Sequence, residues 1–212
     1  MKLSSKYRRL LSERERLCIL LPALYALGKR ENARRLMRRA VTARKLPTSF
    51  FAELFLHLSL LIGFPNMLDG LESLAQVRVR SARRLSAEHR TRRRLRESGM
   101  KVLRTIYGNQ TEKLLGSLAR LHADLPRMIV EDVYGRIIAR AGMTIAEREL
   151  VNVTVLTIQG LNRQLYSHLR GALRVGVSPE VLRTLLGILR LYFRVRVGEA
   201  ERLLQRLTAS KN

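Results

Sequence analysis

Residues 144–180 read TIAERELVNVTVLTIQGLNRQLYSHLRGALRVGVSPE, and the rest of the chain is organised around them. Thr144 and Glu147 have the Thr-x-x-Glu spacing of a capping box, which predicts a helix start. Apolar residues recur through Val151, Val153, Leu156 and Ile158 until Gly160 breaks the run. A second helix is predicted from about Asn162 to Val175, with Leu165, Leu169, Ala172 and Leu173 on its inward stripe. Ser178-Pro179 then supplies an N-cap and a proline at the first position of a third helix. Two polar residues lie on these apolar faces. Glu149 sits four residues from both Ile145 and Val153, and His168 sits three after Leu165 and four before Ala172. If the chain folds back at Gly160, a carboxylate and an imidazole face one cavity at levels roughly 5 Å apart.

The same three-helix pattern occurs earlier. Ser12 and Thr144, Glu15 and Glu147, Gly28 and Gly160, Ala40 and Ala172, and Pro47 and Pro179 are all separated by 132 positions. Five matches in register predict an internal duplication. The predicted organisation is a first helical repeat over 1–75, a basic connector over 76–98 and a second repeat over 99–212. The polar residues differ between the repeats: Glu149 and His168 correspond to Leu17 and Leu36. Conversely, His57 lies six residues before Gly63-Phe-Pro65, where the second repeat has Ile188 or Leu189. Each repeat thus keeps a different half of the pattern, and one composite pocket is expected between them. In the second repeat, further helices are predicted over Met100–Leu118 and Ala123–Ala141, turning at Asp124-Leu-Pro126.

The chain has 212 residues, 46% hydrophobic, with 41 basic and 17 acidic residues and a formal net charge of +24. That composition excludes a disordered chain. The few prolines and β-branched runs favour an all-α protein. Cys18 is the single cysteine, so an intrachain disulfide is impossible and a reducing compartment fits. The charge favours anionic partners. Residues 77–99 hold nine arginines against Glu88 and Glu97, densest at Arg90, Arg92, Arg93, Arg94 and Arg96. A solvated charged helix ending at Ser98-Gly99 is the plain reading. Contact with nucleic acid or another polyanion through these arginines is the sharper alternative, although no aromatic interleaves with them for base stacking. The most apolar window, Phe50–Phe64, is shorter than a membrane span and contains Glu53 and His57. A cytoplasmic protein without membrane partners is expected.

The run Arg-Glu-Leu-Val at 148–151 and the run Ser-His-Leu-Arg-Gly-Ala-Leu-Arg-Val-Gly-Val-Ser-Pro-Glu at 167–180 resemble the carboxymuconolactone decarboxylase family, which includes alkylhydroperoxidase D. Lys101–Gly108 and Tyr134–Met143 resemble the segments preceding the helical pair in decarboxylase-like members, so the resemblance covers roughly residues 99–190. It implies the duplicated all-α alkylhydroperoxidase D-like fold and a homo-oligomer (trimer or hexamer); no cofactor is expected, and the four histidines, His57, His89, His122 and His168, form no metal-ligand motif. Peroxidase members of the family use a Cys-x-x-Cys ahead of the histidine. Here Leu161 and Gln164 occupy those places, so the thiolate and the resolving thiol of that chemistry are missing.

What the resemblance leaves is cysteine-independent acid–base chemistry, of decarboxylase or lyase type, on a small anionic or carbonyl substrate. It carries over His168 first, then Glu149 and Tyr134, with His57 placed by its position ahead of Gly-x-Pro. A histidine near neutral pKa and a buried carboxylate suit shared proton traffic. Arg170 or Arg140 could hold a substrate carboxylate by a bidentate fork. The structural alternative is a core histidine with Glu149 paired to an arginine such as Arg163. The functional alternative is a non-catalytic protein with a degenerate pocket and a basic surface.

Overall fold

The computed structural model describes residues 4–43, 46–77 and 90–209, and every regular element among them is helical. Of the arginine-rich connector, residues 78–89 lie outside the described residues. After a short helix α1 (Ser5–Leu10), the first set comprises α2 (Glu13–Ala26), α3 (Arg30–Thr42), α4 (Thr48–Ile62) and α5 (Phe64–Val77). A middle section follows with α6 (Arg92–Tyr107), α7 (Thr111–Leu121) and the single turn α8 (Leu125–Arg127), which widens into a π-helix over Met128–Ile138. The last set is α9 (Ile145–Gln159), α10 (Asn162–Arg174), α11 (Pro179–Phe193) and α12 (Gly198–Ala209).

Local chemistry fixes the helix starts. Both capping boxes form: the Ser12 hydroxyl accepts from the Glu15 amide and the Thr144 hydroxyl from the Glu147 amide, while each glutamate reaches back to its cap residue. Ser178 caps α11 through the Val181 amide, with Pro179 in the first turn. Gly28 and Gly160 close the first helices of the two sets with nearly equal positive φ, 70° and 69°, a conformation that favours glycine. The starts of α2 and α9, and of α3 and α10, are 132 residues apart; those of α4 and α11 are 131 apart. The central helices pack reciprocally, with α2 against α9, α4 against α9 and α11 against α2. One large apolar core runs through these elements, and a smaller one lies under α6 and the π-helix.

The middle section departs from the sequence expectation. No break occurs at Ser98-Gly99, because α6 runs through both residues. Gly99 instead lies where α6 crosses the π-helix: a side chain there would overlap the Val130 carbonyl oxygen. Gly135 on the π-helix is its counterpart, pressed against the Leu95 backbone. The expected helix over Met100–Leu118 is divided at Gly108, which adopts φ 58° and is followed by a 3₁₀ turn, Gly108–Gln110. The helix expected over Ala123–Ala141 widens so that the Ala139 amide donates to the Tyr134 carbonyl, five residues back.

Candidate functional site

Two pairs spaced four apart, one on each of two facing helices, build the base of the site. Glu53 and His57 share a face of α4, while Arg148 and Asn152 share a face of α9. The pairs meet rung by rung. Arg148 Nη2 donates to Glu53 Oε2 at 3.4 Å, and one turn further along both helices His57 Nε2 meets Asn152 Oδ1 at 2.8 Å. All four side chains are buried. Arg140 adds a bidentate fork onto Glu53, with distances of 2.8 to 3.0 Å. Arg148 Nη2 also donates to the Arg140 carbonyl oxygen at 3.1 Å. The Arg148 guanidinium is wholly buried, and its burial lowers its pKa from the usual range. His57 Nδ1 and Arg148 Nε and Nη1 have no hydrogen-bond partner among the described residues, so this stratum carries a desolvation cost that an apolar one would not.

Asn152 leads from this base to the predicted pair. Its Nδ2 donates to Glu149 Oε1 at 3.2 Å and approaches His168 Nδ1 at 3.1 Å. His168 Nδ1 lies 2.9 Å from Glu149 Oε2. The turn at Gly160 therefore does bring the carboxylate of α9 and the imidazole of α10 together. Glu149 is 1% exposed and His168 18%, which gives the pair an inner and an outer member. His168 Nε2 makes no hydrogen bond with a described residue and is left to solvent or a ligand.

The flanks of Nδ1 are complementary. On one side is a carboxylate oxygen, which only accepts while ionised; on the other is an amide N–H, which only donates. His168 Nδ1 can thus be satisfied when protonated, by donating to Glu149, and when bare, by accepting from Asn152. Asn152 with this amide orientation offers Oδ1 to His57, which makes His57 Nε2 the donor.

Tyr134 projects from the π-helix and meets the Tyr107 hydroxyl at 3.0 Å, oxygen to oxygen. Burial, then the neighbouring hydroxyl and the Glu149 charge, push the Tyr134 phenol well up from its usual value. Tyr107 is pushed up to about 12, chiefly by burial and then by Glu149. Both tyrosines therefore stay protonated hydrogen-bond donors beside the Glu149 carboxylate. Arg170 is exposed on α10 and lines a cavity next to Tyr107. The Arg140 fork, a candidate for a substrate carboxylate, holds a carboxylate of the chain itself. Arg163 is exposed, and the partner of Glu149 is His168 instead.

Reading by sequence missed Asn152, Arg148, Glu53 and Tyr107. For Glu53 a signal existed, namely its place four residues before His57 in an otherwise apolar run; Arg148 and Asn152 are also four apart, but in a mixed stretch. Tyr107 carried none. Leu161 and Gln164 are exposed at the start of α10, whereas Cys18 is fully buried in α2, where burial pushes its thiol pKa well up. Arg92, Arg93, Arg94 and Arg96 are exposed on the first turns of α6; Arg93 pairs with Glu97, and Arg90 donates to the Gly135 carbonyl. Among the described residues no three histidines, cysteines or carboxylates are grouped to hold a metal, and no helix is long and apolar enough to cross a membrane.

Part of the chain is similar to known proteins. A relative, Peroxisomal protein 2 of Schizosaccharomyces pombe, is 27% identical over 126 residues, which span 57% of this chain and 57% of the relative. The match thus covers little more than half the length of that protein. Residues 128–200, from the π-helix through α9, α10 and α11 to the start of α12, match the family model described as the Carboxymuconolactone decarboxylase family. Over that segment, which contains Glu149, Asn152 and His168, the chain is similar to the carboxymuconolactone decarboxylase family.

Proposed function

We propose that this carboxymuconolactone decarboxylase-like protein performs cysteine-independent acid–base chemistry, of decarboxylase or lyase type, on a small anionic or carbonyl substrate, at a composite site between two duplicated helical sets. The observation that carries the reading is the environment of His168 Nδ1, which meets a carboxylate on one side and an amide N–H on the other. With Nδ1–H donating to Glu149 before and after proton uptake, Nε2 gains and loses a proton with little rearrangement. When Nε2 takes a proton from a carbon acid, Nδ1–H donates to Glu149, whose charge stabilises the imidazolium. In the opposite direction, Nε2–H delivers that proton to the enolate carbon left when carbon dioxide departs. Tyr107 and Tyr134, held as phenols, serve as donors at the margin of the site, and neutral His57 holds Asn152 in its orientation.

Solvent deuterium uptake tests this directly. In heavy water, a panel of keto acids and lactone acids that includes levulinate is followed by proton NMR at the carbons next to the carbonyl. The wild-type chain accelerates exchange in at least one of them. His168→Asn and Glu149→Gln each reduce that acceleration by about a hundredfold or more, the usual contribution of a positioned acid–base group. Acceleration that both variants retain, or none across the panel, contradicts the proposal. The second reading, a polyanion-binding protein, draws its support from the exposed arginines at the start of α6. It expects nucleic-acid affinity that falls steeply with salt and is indifferent to sequence.

A further inference from the structure

The cavity beside Tyr107 is built differently from the rest of the basic surface. It lies between the C-terminal end of α6, the start of α7 and the outer face of α10, and its volume is about 170 Å³. At about 30 Å³ per liquid water, that is the space of roughly five or six waters, the size of a small organic acid. Ile106 and Leu114 supply apolar wall, and Tyr166 stands at the rim, 41% exposed. Lys113 of α7 and Arg170 of α10 line the same cavity, and among the described residues no carboxylate does. Arg174, one turn beyond Arg170, has its guanidinium against Gly108 at the adjoining turn.

Several arginines elsewhere are tied to acids: Arg14 to Glu147, Arg34 to Asp69 and Arg140 to Glu53. Lys113 and Arg170 form no ion pair with a described residue. Two cations from different helices, lining one half-enclosed cavity together with the polar Gln110, Ser117 and Ser167, fit a single carboxylate better than a solvated surface.

Gly171 connects this space to the acid–base pair. A β-carbon at Gly171 would stand 2.7 Å from Ile106 Cγ2 and 3.2 Å from Glu149 Oε2. The bare glycine therefore keeps the cavity wall thin where it backs onto the Glu149 carboxylate. We infer that this cavity is a binding site for a small organic monocarboxylate, whose carboxylate is held by Lys113 and Arg170 and whose body points over Gly171 toward Glu149 and His168. The purpose of that orientation rests on the acid–base reading above; the binding itself does not.

The test uses the full chain, with levulinate as the probe and its neutral counterpart 2-pentanone as control. Dissociation constants are measured by ligand-observed NMR at about 0.15 M ionic strength, where diffuse attraction to exposed charge is screened within about 8 Å. Levulinate is expected to bind more tightly than 2-pentanone. The double variant Lys113→Ala/Arg170→Ala should weaken levulinate about tenfold, the order of one charge-assisted hydrogen bond, and leave 2-pentanone unchanged. Arg93→Ala/Arg96→Ala, on the outer face of α6, should leave both unchanged. No levulinate binding, equal binding of the two probes, full affinity in the Lys113/Arg170 variant, or an equal loss in the Arg93/Arg96 variant would each overturn the inference. Deuterium exchange read in the same samples separates the two claims. Binding that behaves as expected without exchange sinks the acid–base reading and spares the site. Exchange that persists while Lys113 and Arg170 prove irrelevant does the reverse.

Discussion

Burial, reinforced by the positive charge of Arg148, pushes the His57 pKa down to about 3, against 6.5 for a free imidazole. The folded chain therefore keeps this ring neutral through a range in which the unfolded chain takes up a proton. Between about pH 6.5 and about pH 3 the unfolded state binds the extra proton, so stability falls as pH falls through that window, by up to roughly 1.4 kcal/mol per pH unit. Replacing His57 and its partner together, as His57→Leu/Asn152→Leu, should flatten this part of the acid limb in a plot of denaturation midpoint against pH. An unchanged slope in that variant would show that His57 titrates normally. The pairing of Glu149 with His168 was open to sequence reading, since both stood out as polar residues on apolar helical faces. Their bridge was harder to see. Asn152 is a neutral residue whose meaning depends on α4 lying against α9, and helical periodicity says which face is inward but not which helix covers it.

At the scale of elements, glycines mark the places where backbones touch. Gly99 lies at the crossing of α6 with the π-helix, where a methyl group would run into the Val130 carbonyl. Gly116, within α7, has nothing within 4 Å of its would-be β-carbon. The same substitution should therefore have opposite signs. Gly99→Ala should destabilise by about 1–3 kcal/mol through overpacking, while Gly116→Ala should stabilise by roughly 0.5–1 kcal/mol through helix propensity. Chemical denaturation of the two variants side by side checks this, and equal shifts would mean that the α6 crossing is looser than described. The helices of the two sets were legible because capping boxes and terminal glycines act within one turn. The crossing was not, since the Ser98-Gly99 pair has the local signature of a helix end. Tertiary contact overrides that signature: the glycine is there to admit a neighbour.

Over the whole molecule, the paired helices carry an internal comparison. Through the 132-residue offset, Glu149, Asn152 and His168 correspond to Leu17, Leu20 and Leu36; with the one-residue slip of the third helices, His57 corresponds to Ile188. Leu17, Leu20 and Ile188 are buried and Leu36 packs against the same core. Equivalent places are thus apolar in one arrangement and polar in the other, and the fold accommodates both. Each leucine buried in place of a polar group favours folding by about 1.5–3 kcal/mol of apolar transfer, offset by whatever hydrogen bonds are lost. Changing one member alone strands its partners: Glu149→Leu leaves the amide of Asn152 with one accepting partner fewer, at a cost of about 1–3 kcal/mol. Changing all four removes the network without leaving orphans. Thermal unfolding and deuterium exchange measured together on His57→Leu/Glu149→Leu/Asn152→Leu/His168→Leu therefore test most directly whether the polar set is kept for chemistry or for folding. A melting temperature equal to or above that of the wild type, with exchange abolished, is the result predicted here. A variant that melts well below the wild type, or one that still catalyses exchange, would contradict it.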